Sequence, residues 1–284
     1  MMILFFIVPI FCVLAWELIH HYYAINTPLF LMINGMLPHS DWFWQNITFM
    51  GDGLTAYVLL IFFCRHNAHL LWLGLLAVLI TGLGVHVVKQ FLEIVRPITY
   101  LGIDNVEIIG KTLKYHSFPS GHAATAFVLA GVLSKYIKLN SFRYHRAFTF
   151  CVISLATLIA LSRVVVGVHW PLDIVIGALW GWYSATIILK LSSKTKQIGR
   201  TRFSANILYA LAAISAGFLW RFDGGYPLAL GLAKLLSVCA LTYITLILIE
   251  LNFRVKLVFD HSYRPRLHST SIQLQTVAFE KNKS

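Results

Sequence analysis

Eight stretches of this chain are apolar over close to the length a helix needs to cross a bilayer, roughly 20 residues. They lie at 2–19, 47–64, 70–88, 123–137, 147–161, 172–191, 205–220 and 228–251. The pattern predicts an all-α fold, a polytopic bundle of transmembrane helices. The composition excludes other classes. With 58% hydrophobic and 12% charged residues, the chain has too few charges to coat a soluble domain, which carries about 25%. It is also too apolar for a disordered chain. Cys12, Cys64, Cys151 and Cys239 sit inside apolar stretches with no CxxC spacing, so they read as small buried hydrophobes.

The stretches differ in quality. Asp52 and two glycines interrupt the second. The first lacks a basic leader and a small-x-small cleavage site, so it reads as an uncleaved span. Residues 28–38 are apolar but too short to cross. They are expected along the membrane surface, with Trp42 and Trp44 at the headgroups.

The formal charge of +12 does not point to nucleic acid, because the cations fall in short runs between apolar stretches. Eight crossings put both termini on one side. That side collects sixteen Lys and Arg against six on the other. The excess predicts cytoplasmic termini and a basic cytoplasmic tail over 252–284.

Three clusters carry the chemistry, and all fall on the expected non-cytoplasmic side. Lys89 and Arg96 are seven residues apart, two helical turns, and Pro97 is expected to stop the helix. The spacing predicts two cations on one helix face. Pro119-Ser120-Gly121-His122 directly precedes the fourth stretch. Ser120 suits an N-cap, and Gly121 lets the backbone approach a ligand at the positive end of a helix. Ser162-Arg163 precedes His169 by six residues, and Asp173 follows His169 by four. A carboxylate at that spacing can hold one imidazole nitrogen and leave the other free to attack. Three cations with backbone donors suit a tetrahedral dianion. Two histidines suit a nucleophile and an acid–base group. Together these features indicate phosphoryl transfer at a membrane surface.

Lys-x6-Arg-Pro, Pro-Ser-Gly-His and Ser-Arg-x5-His-x3-Asp, in this order, resemble the three signatures of the type 2 phosphatidic acid phosphatase superfamily. The resemblance covers about residues 40–192. It implies a six-helix core at 1–192, and the two additional transmembrane helices expected at 193–251, before the tail at 252–284, are a departure from the family's pattern. It further implies that His169 is the nucleophile, forming a phosphohistidine that Asp173 orients. His122 would protonate the leaving oxygen and then activate water. Lys89, Arg96, Ser120, Gly121 and Arg163 would hold the phosphate oxygens. No metal and no cofactor would be needed, and no carboxylate cluster resembles a magnesium site.

The implied reaction is hydrolysis of a phosphomonoester or pyrophosphate of a membrane lipid, in an inner membrane with the site facing the periplasm. The nearest alternative is a phosphotransferase that passes the phosphoryl group to an acceptor such as lipid A. A transporter would call for inverted repeats or intramembrane charges. Lys234, the main candidate for such a charge, can snorkel to the interface. A silent scaffold is disfavoured by the complete motifs.

Overall fold

The computed structural model describes residues 21–36, 40–64, 67–139, 143–192, 195 and 198–253. The expected span at 2–19 and the tail from 254 onward lie outside the described residues. The described chain is helical, with no strand. Its helices are α1 (Tyr22–Met36), α2 (Asp41–Phe49), α3 (Gly53–Leu60), α4 (Ala68–Leu92), α5 (Pro97–Leu101), α6 (Gly121–Leu139), α7 (His145–Val165), α8 (Pro171–Ser192), α9 (Arg202–Leu219) and α10 (Leu230–Phe253). Five helical segments are long and apolar enough to cross a membrane by themselves, and they contain α4, α7, α8, α9 and α10. Their outward faces carry large apolar side chains such as Leu83, Phe91, Phe150, Leu179 and Phe218. Lipid, not water, suits that surface. Of the cysteines, Cys64 is buried, but Cys151 and Cys239 are exposed on α7 and α10. In a bilayer a small apolar side chain loses nothing by facing outward.

Two expectations about the helices also need correction. The stretch at 47–64 is not one straight span. It breaks between α2 and α3, which meet at 72°. Asp52 causes the break, because its side chain accepts from the Leu54 N–H and so starts a new helix. The face shared by Lys89 and Arg96 is also absent. Helix α4 ends at Leu92, where Glu93 takes a left-handed conformation (φ 46°). Residues 94–96 then run beside 114–117, joined by Arg96 N–H to Lys114 O and Ser117 N–H to Ile94 O. Pro97 starts α5 rather than stopping α4.

Helices α6 and α8 make the most intimate pair. Gly177 and Gly181 of α8 face the α6 backbone. A Cβ at Gly181 would lie 2.2 Å from Ala124 O, and one at Gly177 would lie 2.5 Å from Ser120 O. Small residues let the two backbones touch. The N-termini of α6 and α8 therefore lie side by side, and two positive helix ends meet at one end of the bundle.

Helix α1 lies across that same end. Tyr22, at its start, hydrogen-bonds Asp173. Asn34, near its finish, donates to Val165 O and exchanges hydrogen bonds with Glu107. The surface-lying segment is thus a helix packed on the bundle. Trp42 is exposed, whereas Trp44 is buried rather than displayed at the headgroups. Helices α9 and α10 form a hairpin, tied by Ser237 Oγ donating to Ala216 O. Lys234 lies over the Trp220 ring near the turn of that hairpin, as a snorkelling cation should.

Candidate active site

The turn between α7 and α8 carries His169. The Arg163 carbonyl accepts from the N–H groups of both Val168 and His169 and so closes the turn. A Cβ at Gly167 (φ 78°) would sit 2.4 Å from Glu107 O, so only glycine fits there. Asp173, in the first turn of α8, is fully buried. Its Oδ2 lies 2.9 Å from His169 Nδ1 and also accepts from Ser117 Oγ and the Trp170 N–H. Its Oδ1 accepts from the Tyr22 hydroxyl. Four donors replace the water that a buried carboxylate loses.

This network assigns the histidine tautomer. Asp173 Oδ2 calls for a proton on Nδ1. Arg96 Nη1, which can only donate, lies 3.4 Å from Nε2. Nε2 is therefore the unprotonated nitrogen, with its lone pair facing a cation. Burial pushes the His169 pKa well down, and the charges of Arg96, Lys89, Arg163 and His122 push it further.

Three chain segments supply the cations. Lys89 donates to the carbonyls of His116 and Ser117. Arg96 donates to those of Tyr115, Val168 and His116. Both therefore organise the loop before Ser120, and Arg96 also holds the His169 turn, roles the motif spacing did not reveal. Arg163 is almost completely buried, and its Nη1 donates to Thr48 Oγ1 and Tyr226 Oη. Its Nε is buried without a partner. An orphaned guanidinium donor beside two helix N-termini fits an oxyanion.

Ser120 caps α6, with Oγ accepting from the Ala123 N–H at 3.4 Å. Its own N–H donates to Asp173 O, which joins the second and third motifs. The N–H groups of Gly121 and His122 open the helix and have no acceptor within it. Only Val85 comes within 4 Å of a Cβ built on Gly121, at 3.8 Å. His122 packs against Gly51 at the α2–α3 break, where a Cβ would lie 3.1 Å from His122 Cβ. Among the described residues, its ring makes no hydrogen bond to the protein.

All eight residues singled out by the motifs thus meet at one end of the bundle. Sequence reasoning missed Tyr22, Ser117, Thr48 and Tyr226. None stands at a motif spacing, and each reaches the site only through the fold.

Residues 70–197 match the PAP2 superfamily. The solved structure of Aquifex aeolicus LpxE aligns with 33% identity and a TM-score of 0.50, covering 58% of this chain and 95% of that one. The chain belongs to the PAP2 superfamily. Among curated PAP2 relatives, the lipid A 1-phosphatase of Rhizobium etli is 31% identical over 119 residues, 40% of this chain and 48% of that protein. YbjG of Escherichia coli, a candidate undecaprenyl-diphosphatase, is 40% identical over 81 residues, 27% of this chain and 37% of that protein. The chain thus spans about half the length, or less, of the curated relatives it matches. It is an integral membrane protein, with helices of bilayer length and a PAP2 region inside the helical bundle. Tyr22, Thr48 and Tyr226 lie outside the matched PAP2 region.

Proposed function

We propose that this protein is a lipid phosphatase that hydrolyses a phosphomonoester or pyrophosphate of a membrane lipid through a phosphohistidine. The observation that carries the reading is the His169 network, with Nδ1 held by Asp173 and the Nε2 lone pair presented to Arg96. Nε2 attacks phosphorus as the P–O bond to the lipid breaks, and His122 gives its proton to the leaving oxygen. His122 then takes a proton from water, which attacks phosphorus and breaks the P–N bond. Free phosphate leaves, and His169 is regenerated. Arg163 Nε, the opening N–H groups of α6, Lys89 and Arg96 stabilise the charge that builds on the phosphoryl oxygens.

An apolar cleft of about 220 Å³ runs between α3, α6 and α7, lined by Met50, Leu59, Phe63, Leu133, Leu155 and Ile159. Its Met50 and Ile159 end adjoins Gly51, which touches His122. A lipid tail there would put its phosphate beside the histidines. The cation bias supports an orientation with the site on the non-cytoplasmic face and both termini in the cytoplasm. In this reading 1–192 is the catalytic core, 193–251 an added helical pair and 252–284 a cytoplasmic tail.

The test is phosphate release in detergent micelles, in EDTA, from phosphatidic acid, phosphatidylglycerol phosphate, undecaprenyl pyrophosphate and lipid A. Wild type should release phosphate, His169→Ala should not, and vanadate should inhibit. Turnover by His169→Ala would overturn the nucleophile assignment. A loss in EDTA restored by magnesium would overturn the metal-independent mechanism. Release seen only with an added acceptor lipid would convert the reading to a phosphotransferase.

A further inference from the structure

We propose that the turn joining α9 and α10 is an arm of the active site, in which Tyr226 is a positioning residue for Arg163 and seats Lys111 beside it. The inference rests on the reading of Arg163 as a phosphate-binding group. It gives the hairpin of α9 and α10, which lies beyond the matched PAP2 region, a part in anion binding.

The first observation is the anchoring of the guanidinium. Tyr226 is fully buried, and its hydroxyl accepts from Arg163 Nη1 at 2.7 Å. Thr48 Oγ1 accepts from the same nitrogen. Both hydrogens of Nη1 are thereby engaged. What remains is the side of the guanidinium that carries Nε, which is buried and has no partner. That edge is the fork that pairs with two oxygens of one anion. Both anchors are neutral. A carboxylate in their place would fix the same geometry but neutralise the charge that a phosphate needs.

The second observation is a reciprocal fit between two turns. Tyr226 lies against Gly110, and Lys111 lies against Gly225. A Cβ at Gly110 would sit 2.5 Å from Tyr226 Cδ1, and one at Gly225 would sit 2.5 Å from Lys111 Cδ. Both glycines have φ near 85°. Lys111 Nζ lies 5.6 Å from the centroid of the Tyr226 ring, and Arg163 Cζ lies 5.7 Å from it. One aromatic ring therefore holds two cations, and its quadrupole offsets part of their mutual repulsion. Lys111 becomes a cation of the site that no motif contains.

The turn is itself fixed in place. Leu228 N–H donates to Gln45 Oε1 on α2, at 3.0 Å. Gly225 N–H donates to Asp223 Oδ1 at 2.8 Å. Phe222 packs on Phe49, one residue from Thr48. The hairpin thus grips the same helix that supplies the second anchor of Arg163.

The test compares wild type, Tyr226→Phe, Lys111→Met and Arg163→Lys in the full chain. Inorganic phosphate serves as the competitive probe against phosphatidic acid hydrolysis. Tyr226→Phe keeps the ring and loses the hydroxyl. Its inhibition constant for phosphate and its KM should each rise roughly tenfold, with kcat less affected, as expected for losing a bond to a charged group. Lys111→Met should raise the phosphate constant severalfold. In the Arg163→Lys background, Tyr226→Phe should add little, because the hydroxyl acts through Arg163. A merely structural role would lower the active fraction or the melting temperature and leave the phosphate constant unchanged. An unchanged constant in both Tyr226→Phe and Lys111→Met overturns the inference. If phosphate fails to inhibit wild type, or Arg163→Lys matches wild type, the underlying reading of the site falls instead.

Discussion

Two histidines stand at the heads of adjacent helices, and the structure treats them oppositely. His169 is locked. Its Nδ1 is held by Asp173, its N–H by the Arg163 carbonyl, and its Nε2 faces Arg96. His122 packs against Gly51, and among the described residues its ring makes no hydrogen bond to the protein. A nucleophile needs one tautomer and one direction of attack, and both come from a fixed network. A group that gives and takes protons needs contact with the leaving oxygen and with water. The contrast therefore separates the roles on physical grounds, although both residues are histidines in helix-opening turns.

The largest effects test the locked side. His169→Ala should lower turnover by about 10⁴-fold or more, and an external imidazole should restore part of it. Asp173→Asn keeps the shape but removes the charge that holds the Nδ1 proton, and kcat should fall by about 10³-fold or more. On the other side, His122→Ala should cost roughly 10²- to 10⁴-fold with a lipid alkoxide as the leaving group. With p-nitrophenyl phosphate, whose leaving group needs no proton, the rate of phosphoenzyme formation should recover most of that loss. An equal loss with both substrates would erase the distinction between the histidines.

Much of this contrast was legible in the sequence, for a definable reason. Partners four residues apart across a helix start, such as His169 and Asp173, meet through local geometry, and spacing shows it. Five of the expected spans and the bent pair at 47–64 were visible because such a helix must be apolar along its length, whereas α6, at the expected span 123–137, is not among the described helices long and apolar enough to cross. What failed to show was geometry set by long-range contacts. Arg96 reaches His169 through an extended strand-like segment, because α4 ends at Leu92 and not at Pro97. The break at Asp52 required recognising an N-cap inside an apolar run. Tyr22 lies 151 residues from Asp173, and Tyr226 lies 63 from Arg163. No period or motif links such pairs, since the fold brings them together after each has satisfied its own local helix.

The pH dependence tests the locked histidine, although burial and the facing cations also push the His122 pKa well down. Burial, followed by Arg96, Lys89, Arg163 and His122, holds the His169 pKa well below its ordinary 6.5. A lowered pKa keeps Nε2 unprotonated into acid. The nucleophile's acid limb in kcat/KM should therefore lie below pH 6.5, the reference histidine value. Removing a facing charge should move it upward, and Arg96→Gln is the variant to measure. The same lowered pKa makes a stability contribution that is present above the unfolded value and lost as pH falls through the folded one, because protonating buried His169 opposes folding. An acid limb at or above 6.5 in wild type, unmoved in Arg96→Gln, would place the limiting proton elsewhere.

The smallest expected effect belongs to Tyr22, whose hydroxyl donates to Asp173 Oδ1. Tyr22→Phe removes one of the four donors to the carboxylate and keeps the ring that packs edge-on against Trp170 and Phe118. Asp173 retains its bond to His169 and those from Ser117 and the Trp170 N–H, all on Oδ2. The tautomer of His169 should survive, and kcat should fall by roughly tenfold or less, with KM unchanged. Asp173 bears on the phosphate only through His169, so a change in KM alone would mean that α1 shapes the lipid entrance and does not act through the carboxylate. A loss as large as that of Asp173→Asn would mean that Oδ1 is the oxygen that fixes the network, and the locked half of the site would extend onto the helix lying across it.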